Sequence, residues 1–109
     1  MPDDMEKDIT TLTRDVVRAL RQVYDPEIPV NVYDLGLIYN IDINEDHKVS
    51  VRMTMTAPNC PMSDFLLEEV HNAIADTPGV TDVAIELTFD PPWDKSRMSD
   101  EALLELGLL

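Results

Sequence analysis

The segment LIYNIDINEDHKVSVRMTMT, residues 37–56, alternates twice. Leu37, Tyr39, Ile41 and Ile43 set one face against Ile38, Asn40 and Asp42; after the polar NEDH, Val49, Val51, Met53 and Met55 do the same against Lys48, Ser50, Arg52 and Thr54. A period of two places alternate side chains on opposite faces of a strand, so two such runs around a short polar turn predict an antiparallel hairpin. Downstream the spacing becomes helical. Leu66, Leu67, Val70 and Ile74 predict an amphipathic helix from Met62 to Ala75, ended near Thr77-Pro78-Gly79. VTDVAIELTF, residues 80–89, returns to period two, with Val83, Ile85, Leu87 and Phe89 against Asp82, Glu86 and Thr88. A strand–helix–strand crossover makes the second and third strands parallel when they share a sheet.

Upstream, Ile9, Leu12, Val16, Leu20 and Val23 predict a first helix over 9–23, with Arg14, Arg18 and Arg21 off its apolar stripe. DPEIPV follows, and Pro26 and Pro29 bar further helix. Residues 25–36 then form a long loop, a feature uncommon in small domains and often functional. Beyond DPPW, a short terminal helix has Ser99 as its N-cap and Gly107 as its stop. The predicted fold class is α/β (α+β): one domain over 1–109, with order α-β-β-α-β and a core of about 10–107. It has two layers, a three-stranded mixed sheet with both long helices on one face, and a short C-terminal helix.

Composition narrows the function. The 109 residues carry 22 Asp and Glu against 8 Lys and Arg, a net charge of −14. Phosphate backbones are repelled by such a chain, so nucleic acid is excluded as the expected partner. MPDDMEKD has no apolar signal region, and no apolar run nears the ~20 residues a membrane span requires. The expectation is a cytoplasmic protein without membrane contact. One cysteine excludes an internal disulfide and a cysteine-based zinc site. The acidity reads chiefly as solvation.

The expected topology brings three loops to one sheet edge: 25–36, 56–64 and 90–93. Ligands commonly bind beyond the carboxyl ends of strands in such sheets. In TAPNCPMSD, residues 56–64, the single cysteine stands between two prolines. Pro61 suits a first helical position, which makes Cys60 the N-cap. Backbone N–H groups and the positive helix end favour a thiolate there, while Asp25, Glu27, Asp34 and Asp64 oppose it. Two readings of Cys60 stay open, a working thiol and a small hydrophobe packed under the loop. Neither histidine serves it: His47 falls in the hairpin turn at the far edge, and His71 is about three helical turns along. Both are expected as solvated surface residues. Asp25, Glu27 and Asp34 have the chemistry of metal ligands or a general base, but turn geometry explains Asp25 and Asp34 equally well. Trp93 is either a contact aromatic or a clamp holding a loop to the core.

DPEIPVNVYDLGLIYNI, MTMTAPNCPMSD and FDPPWDKSRMSDEALLELG, in that order and spacing, resemble the small SufT-like iron–sulfur cluster assembly domain family, which is related to PaaD. The likeness spans about Thr10 to Gly107. It implies an α/β domain that assists assembly of clusters, or their transfer to apoproteins, without catalysis. It also implies that Cys60 is the functional thiol, a transient iron or cluster ligand, supported by Asp25, Glu27, Asp34 and Thr56. The implied partners are the iron–sulfur assembly machinery and recipient apoproteins. PaaD proteins add a cysteine-rich C-terminal region that this chain lacks. Four thiolates usually hold a cluster, and this chain has one. No stably bound cofactor is therefore expected; a cluster would be transient, shared across a homodimer, or completed by a partner or small thiol. Two alternatives stand beside this: an enzyme with Cys60 as nucleophile and a loop carboxylate as base, and a scaffold acting by protein contacts alone. The C-terminal LLELGLL is expected to dock near Trp93 or on a second subunit.

Overall fold

The computed structural model describes residues 8–25, 28–56 and 63–107. Helix α1 (Ile9–Leu20) is followed by strands β1 (Ile38–Ile43) and β2 (Lys48–Met53), helix α2 (Ser63–Ala75), strand β3 (Asp82–Leu87), a 3-10 turn at Lys95–Arg97 and helix α3 (Asp100–Glu105). The sheet order is β1-β2-β3, antiparallel at the first pairing and parallel at the second. The two-layer mixed-sheet expectation holds.

Asp8 caps α1, its carboxylate accepting from the Thr11 N–H at 2.7 Å. That bond, first through the backbone, holds the exposed Asp8 carboxyl below its usual value. Leu12, Val16 and Leu20 recur on one helix face and are fully buried. Each such side chain contributes about 1.5–3 kcal/mol by leaving water, enough to hold a short helix against the sheet. The helix ends at Leu20 rather than at 23, because the chain turns and bridges Tyr24 to Asn31. Val23 is still buried, delivered by that turn. Opposite α1 and α2, Val49, Val51 and Met53 line the inner face of β2, and Leu66, Val70 and Ile74 of α2 close over them.

Three particulars depart from the sequence reading. Tyr39 is not on the core face. Ile38 pairs with Met53 and Asn40 with Arg52, so Tyr39 is the extra residue of a bulge, and Ile38 takes its place against the core. A bulge shifts the alternation by one and re-aims the side chain. His47 is not a solvated turn residue either. Its φ of 64° swings the ring inward; it is buried, with Nδ1 3.1 Å from the Gly79 carbonyl oxygen. The Thr81 N–H donates to the His47 carbonyl and the Thr81 hydroxyl to that of Asp46, tying the hairpin turn to the α2–β3 connection. His71 is exposed, as expected. Finally, Thr54, on the polar side of the strand pattern, is fully buried, and its hydroxyl has no hydrogen-bond partner among the described residues.

Candidate functional site

Over its described residues, 25 and 28–36, the expected loop is closely folded. Val30, Val32 and Leu35 are buried in the main core, so the segment is itself a core element without regular structure. Asp25 starts it: its carboxylate accepts from the Ile28 N–H at 2.9 Å, and its own N–H donates to the Val30 carbonyl. Such a bond closes an Asx-type turn, the conformation that Asp favours beside proline.

Asp34 is the other fixed carboxylate. Its N–H donates to the Asn31 side-chain oxygen at 2.8 Å, while its Oδ2 accepts from the Asn31 amide at 2.7 Å. Arg21, at the end of α1, reaches Oδ1 at 3.5 Å, its guanidinium also lying 5.3 Å from the centre of the Tyr33 ring. At that length, with Arg21 half exposed and Asp34 buried, the ion pair is worth at most about 1 kcal/mol. The Asn31–Asp34 pair is the firmer restraint. Two of the three loop carboxylates named from the sequence, Asp25 and Asp34, thus shape the loop.

The C-terminal segment locks the same loop from outside. Trp93 Nε1 donates to the Leu35 carbonyl at 2.6 Å, and the Ser99 N–H donates to the Asp34 carbonyl at 2.8 Å. Trp93 is therefore a clamp. Gly36, at φ +81°, lies so close to Arg97 that a Cβ there would overlap the Arg97 carbonyl. The bulged Tyr39 donates its hydroxyl to the Pro91 carbonyl at 2.8 Å, and the Arg97 guanidinium lies 4.5 Å from its ring centre. Ser99 caps α3 and Gly107 follows it at positive φ, both as expected. Met98 and Ala102 enter the core, with Leu103 and Leu106 packed against it, so the C-terminal helix docks on its own chain. Leu104 remains exposed.

Of the three converging loops, 25–36 and 90–93 do meet. The Thr54 N–H donates to the Leu37 carbonyl and the Thr88 N–H to that of Met53, which sets the end of β2 at this same edge. Thr56, half-buried, follows two residues beyond Thr54. Cys60 and Glu27 lie outside the described residues. Among the described residues no group of three His, Cys, Asp or Glu side chains is arranged to hold a metal ion. No helix among them is long and apolar enough to cross a membrane. The sequence reading missed Asn31, Arg21, Tyr39 and Arg97. The Asn31–Asp34 spacing was a readable turn signal; the contacts of Arg21 and Arg97 are long-range and left no local mark.

Comparison with known proteins extends this geometry. The profile of the family described as iron-sulfur cluster assembly protein matches residues 13–87. An Fe-S protein maturation auxiliary factor of Porphyromonas gingivalis is 56% identical over 105 residues, covering 96% of this chain and 100% of that one. The Fe-S protein maturation auxiliary factor YitW of Bacillus subtilis is 38% identical over 97 residues, 89% of this chain and 95% of its own. Among solved structures, a domain of unknown function from Bacillus anthracis superposes with a TM-score of 0.85 at 31% identity, over 92% of this chain and 95% of that one.

Proposed function

Because the chain belongs to the iron–sulfur cluster assembly protein family, we propose that it is a maturation factor: it assists the transfer of iron–sulfur clusters to apoproteins and is not an enzyme. The observation that carries this reading is the match, over nearly its whole length, to a maturation auxiliary factor 56% identical to it. The chain acts as one domain over 1–109, in the cytoplasm, on the assembly machinery and recipient apoproteins.

Cys60 supplies the thiolate in this account. One thiolate per chain cannot enclose a cluster that usually takes four, so the cluster is cargo, held briefly with thiols from a partner or a second copy. Asp25 and Asp34 support that role by holding their loop, and their hydrogen bonds favour this over service as iron ligands. Thr56 and Glu27 are the other residues this reading assigns to supporting the thiol. A thiol enzyme is disfavoured because, among the described residues, His47 is engaged at Gly79, His71 is on the exposed surface of α2, and Asp25 and Asp34 are held by hydrogen bonds within their loop.

The test is genetic and biochemical together. Cells lacking the protein should show low activity of several cluster-dependent enzymes while their polypeptides accumulate normally, and the intact chain should restore them. Unchanged activities in the deleted strain, under iron limitation as well as iron sufficiency, would overturn the reading.

A further inference from the structure

Arg14, Arg18 and Arg21 supply three of the chain's eight basic residues within two turns of one helix. All three are exposed, on the face of α1 opposite the buried Leu12, Val16 and Leu20. An ordinary solvated face on a chain with 22 acidic residues would carry mixed charges. This one instead sets like charges three and four residues apart, an arrangement that weakens a helix by about 0.2–0.5 kcal/mol per pair. Among the described residues, no carboxylate lies within ion-pair distance of Arg14 or Arg18, though the Asp8 carboxylate at the helix start feels the Arg14 charge; Arg21 reaches Asp34, so the stripe ends against the loop of the candidate site. Beside it, between α1 and α2, runs an open groove of about 620 Å³ with Ala19, Ala73 and Pro78 in its walls and Asp15 and Asp76 on its rim.

We propose that this stripe is the docking surface for an acidic helix of a partner protein, one that carries carboxylates at three- and four-residue spacing and an apolar side chain for the groove. The inference rests on the maturation reading, which makes the partner a protein that gives or receives clusters. Charge complementarity selects the occupant. The stripe spans about 10 Å along the helix axis, a length that two turns of an acidic helix match carboxylate for guanidinium. A duplex or an anionic membrane presents a far broader negative surface, which would also face the 22 acids and the five remaining bases. A second copy is disfavoured by the net charge of −14 on each chain.

The probe is a labelled synthetic helical peptide with Glu at those spacings and one Leu, titrated with the full chain by fluorescence anisotropy at low ionic strength. Amide shifts in an isotope-labelled sample locate the site. Binding should be lost on adding salt, should shift amides of 14–22 and of Asp34, and should weaken on the order of tenfold in Arg14→Gln/Arg18→Gln. That variant leaves the Asp34 contact intact. Cys60→Ala should bind the peptide like wild type, so a failed thiol and a failed docking surface are separable. Four results would overturn the proposal: no peptide binding, equal binding by the double variant, tighter binding to duplex DNA or to vesicles containing anionic lipid, and an arginine-dependent dimer in sedimentation.

Discussion

Gly36→Ala tests the closure of the C-terminal segment over the loop, because the chain carries its own control. Gly36 and Gly107 sit at φ +81° and +73°, a region that L side chains rarely adopt. Either change to alanine should cost about 1 kcal/mol for backbone conformation alone. Around Gly107 nothing among the described residues lies within 4 Å of an added Cβ, so its cost should end there. At Gly36 the Cβ would overlap the backbone carbonyl of Arg97, and backbone cannot rotate aside as a flexible side chain can. Relieving the overlap must displace the 95–97 turn and strain the bonds from Trp93 and Ser99 to the loop. Overpacking of this kind adds about 1–3 kcal/mol, so Gly36→Ala should lose about 2–4 kcal/mol in all. For a domain of this size each kcal/mol moves Tm by about 4–8 °C. Thermal unfolding of both variants should therefore separate them by about 4–24 °C, and denaturant unfolding by about 1–3 kcal/mol. Equal losses for the two glycines would refute the close packing of Arg97 on the loop.

Three further changes read other parts of the same edge. Trp93→Phe keeps an aromatic ring, though a smaller one, and leaves the Leu35 carbonyl without its donor; a loss of about 1–3 kcal/mol in urea unfolding is expected, and a loss under about 0.5 would remove Trp93 as a clamp. Thr54→Val swaps a buried hydroxyl, unpartnered among the described residues, for a methyl of similar shape and should raise stability by about 1 kcal/mol; a loss of that size would mean that the hydroxyl is in use. The Ser96 hydroxyl and then the Ser96 N–H hold the Asp94 carboxyl below its ordinary 3.8. A depressed folded value gives stability that is present above the unfolded pKa and is lost as pH falls through the folded one. Acid titration should thus destabilise the wild type more than Asp94→Asn, and an Asp94 carboxyl resonance titrating at or above 3.8 would contradict the cap.

The sequence carried the fold because its periods are unambiguous: residues 37–55 and 80–89 step by two, and 9–20 and 63–75 repeat at helical spacing. What escaped it were events that a period cannot register. A bulge at Tyr39 adds one residue and brings Ile38 to the core side, yet the apolar pattern reads smoothly through because Ile38 is as apolar as Tyr39 and Leu37, just before the strand, is still buried as the pattern has it. His47 sits in a polar turn by composition, and only its left-handed backbone and the packing of the α2–β3 connection bury it. The prolines around Ile28 signalled a loop correctly but concealed that Val30, Val32 and Leu35 belong to the core. At the site, Asp25 and Asp34 were legible as turn carboxylates. Their firmest partners, Ile28 and Asn31, are local as well; the contacts that Arg21 and Ser99 make to Asp34, and Trp93 to Leu35, come at separations no local pattern reaches.

The central claim is that Cys60 is the working thiol of a maturation factor. The direct test compares cells carrying the wild-type chain with cells carrying Cys60→Ala, reading the activity and iron content of a cluster-dependent enzyme, with thermal melting of the purified variant alongside. The account predicts a Tm close to wild type and enzyme activity no higher than in the deleted strain. Normal maturation by a stably folded Cys60→Ala protein would contradict it.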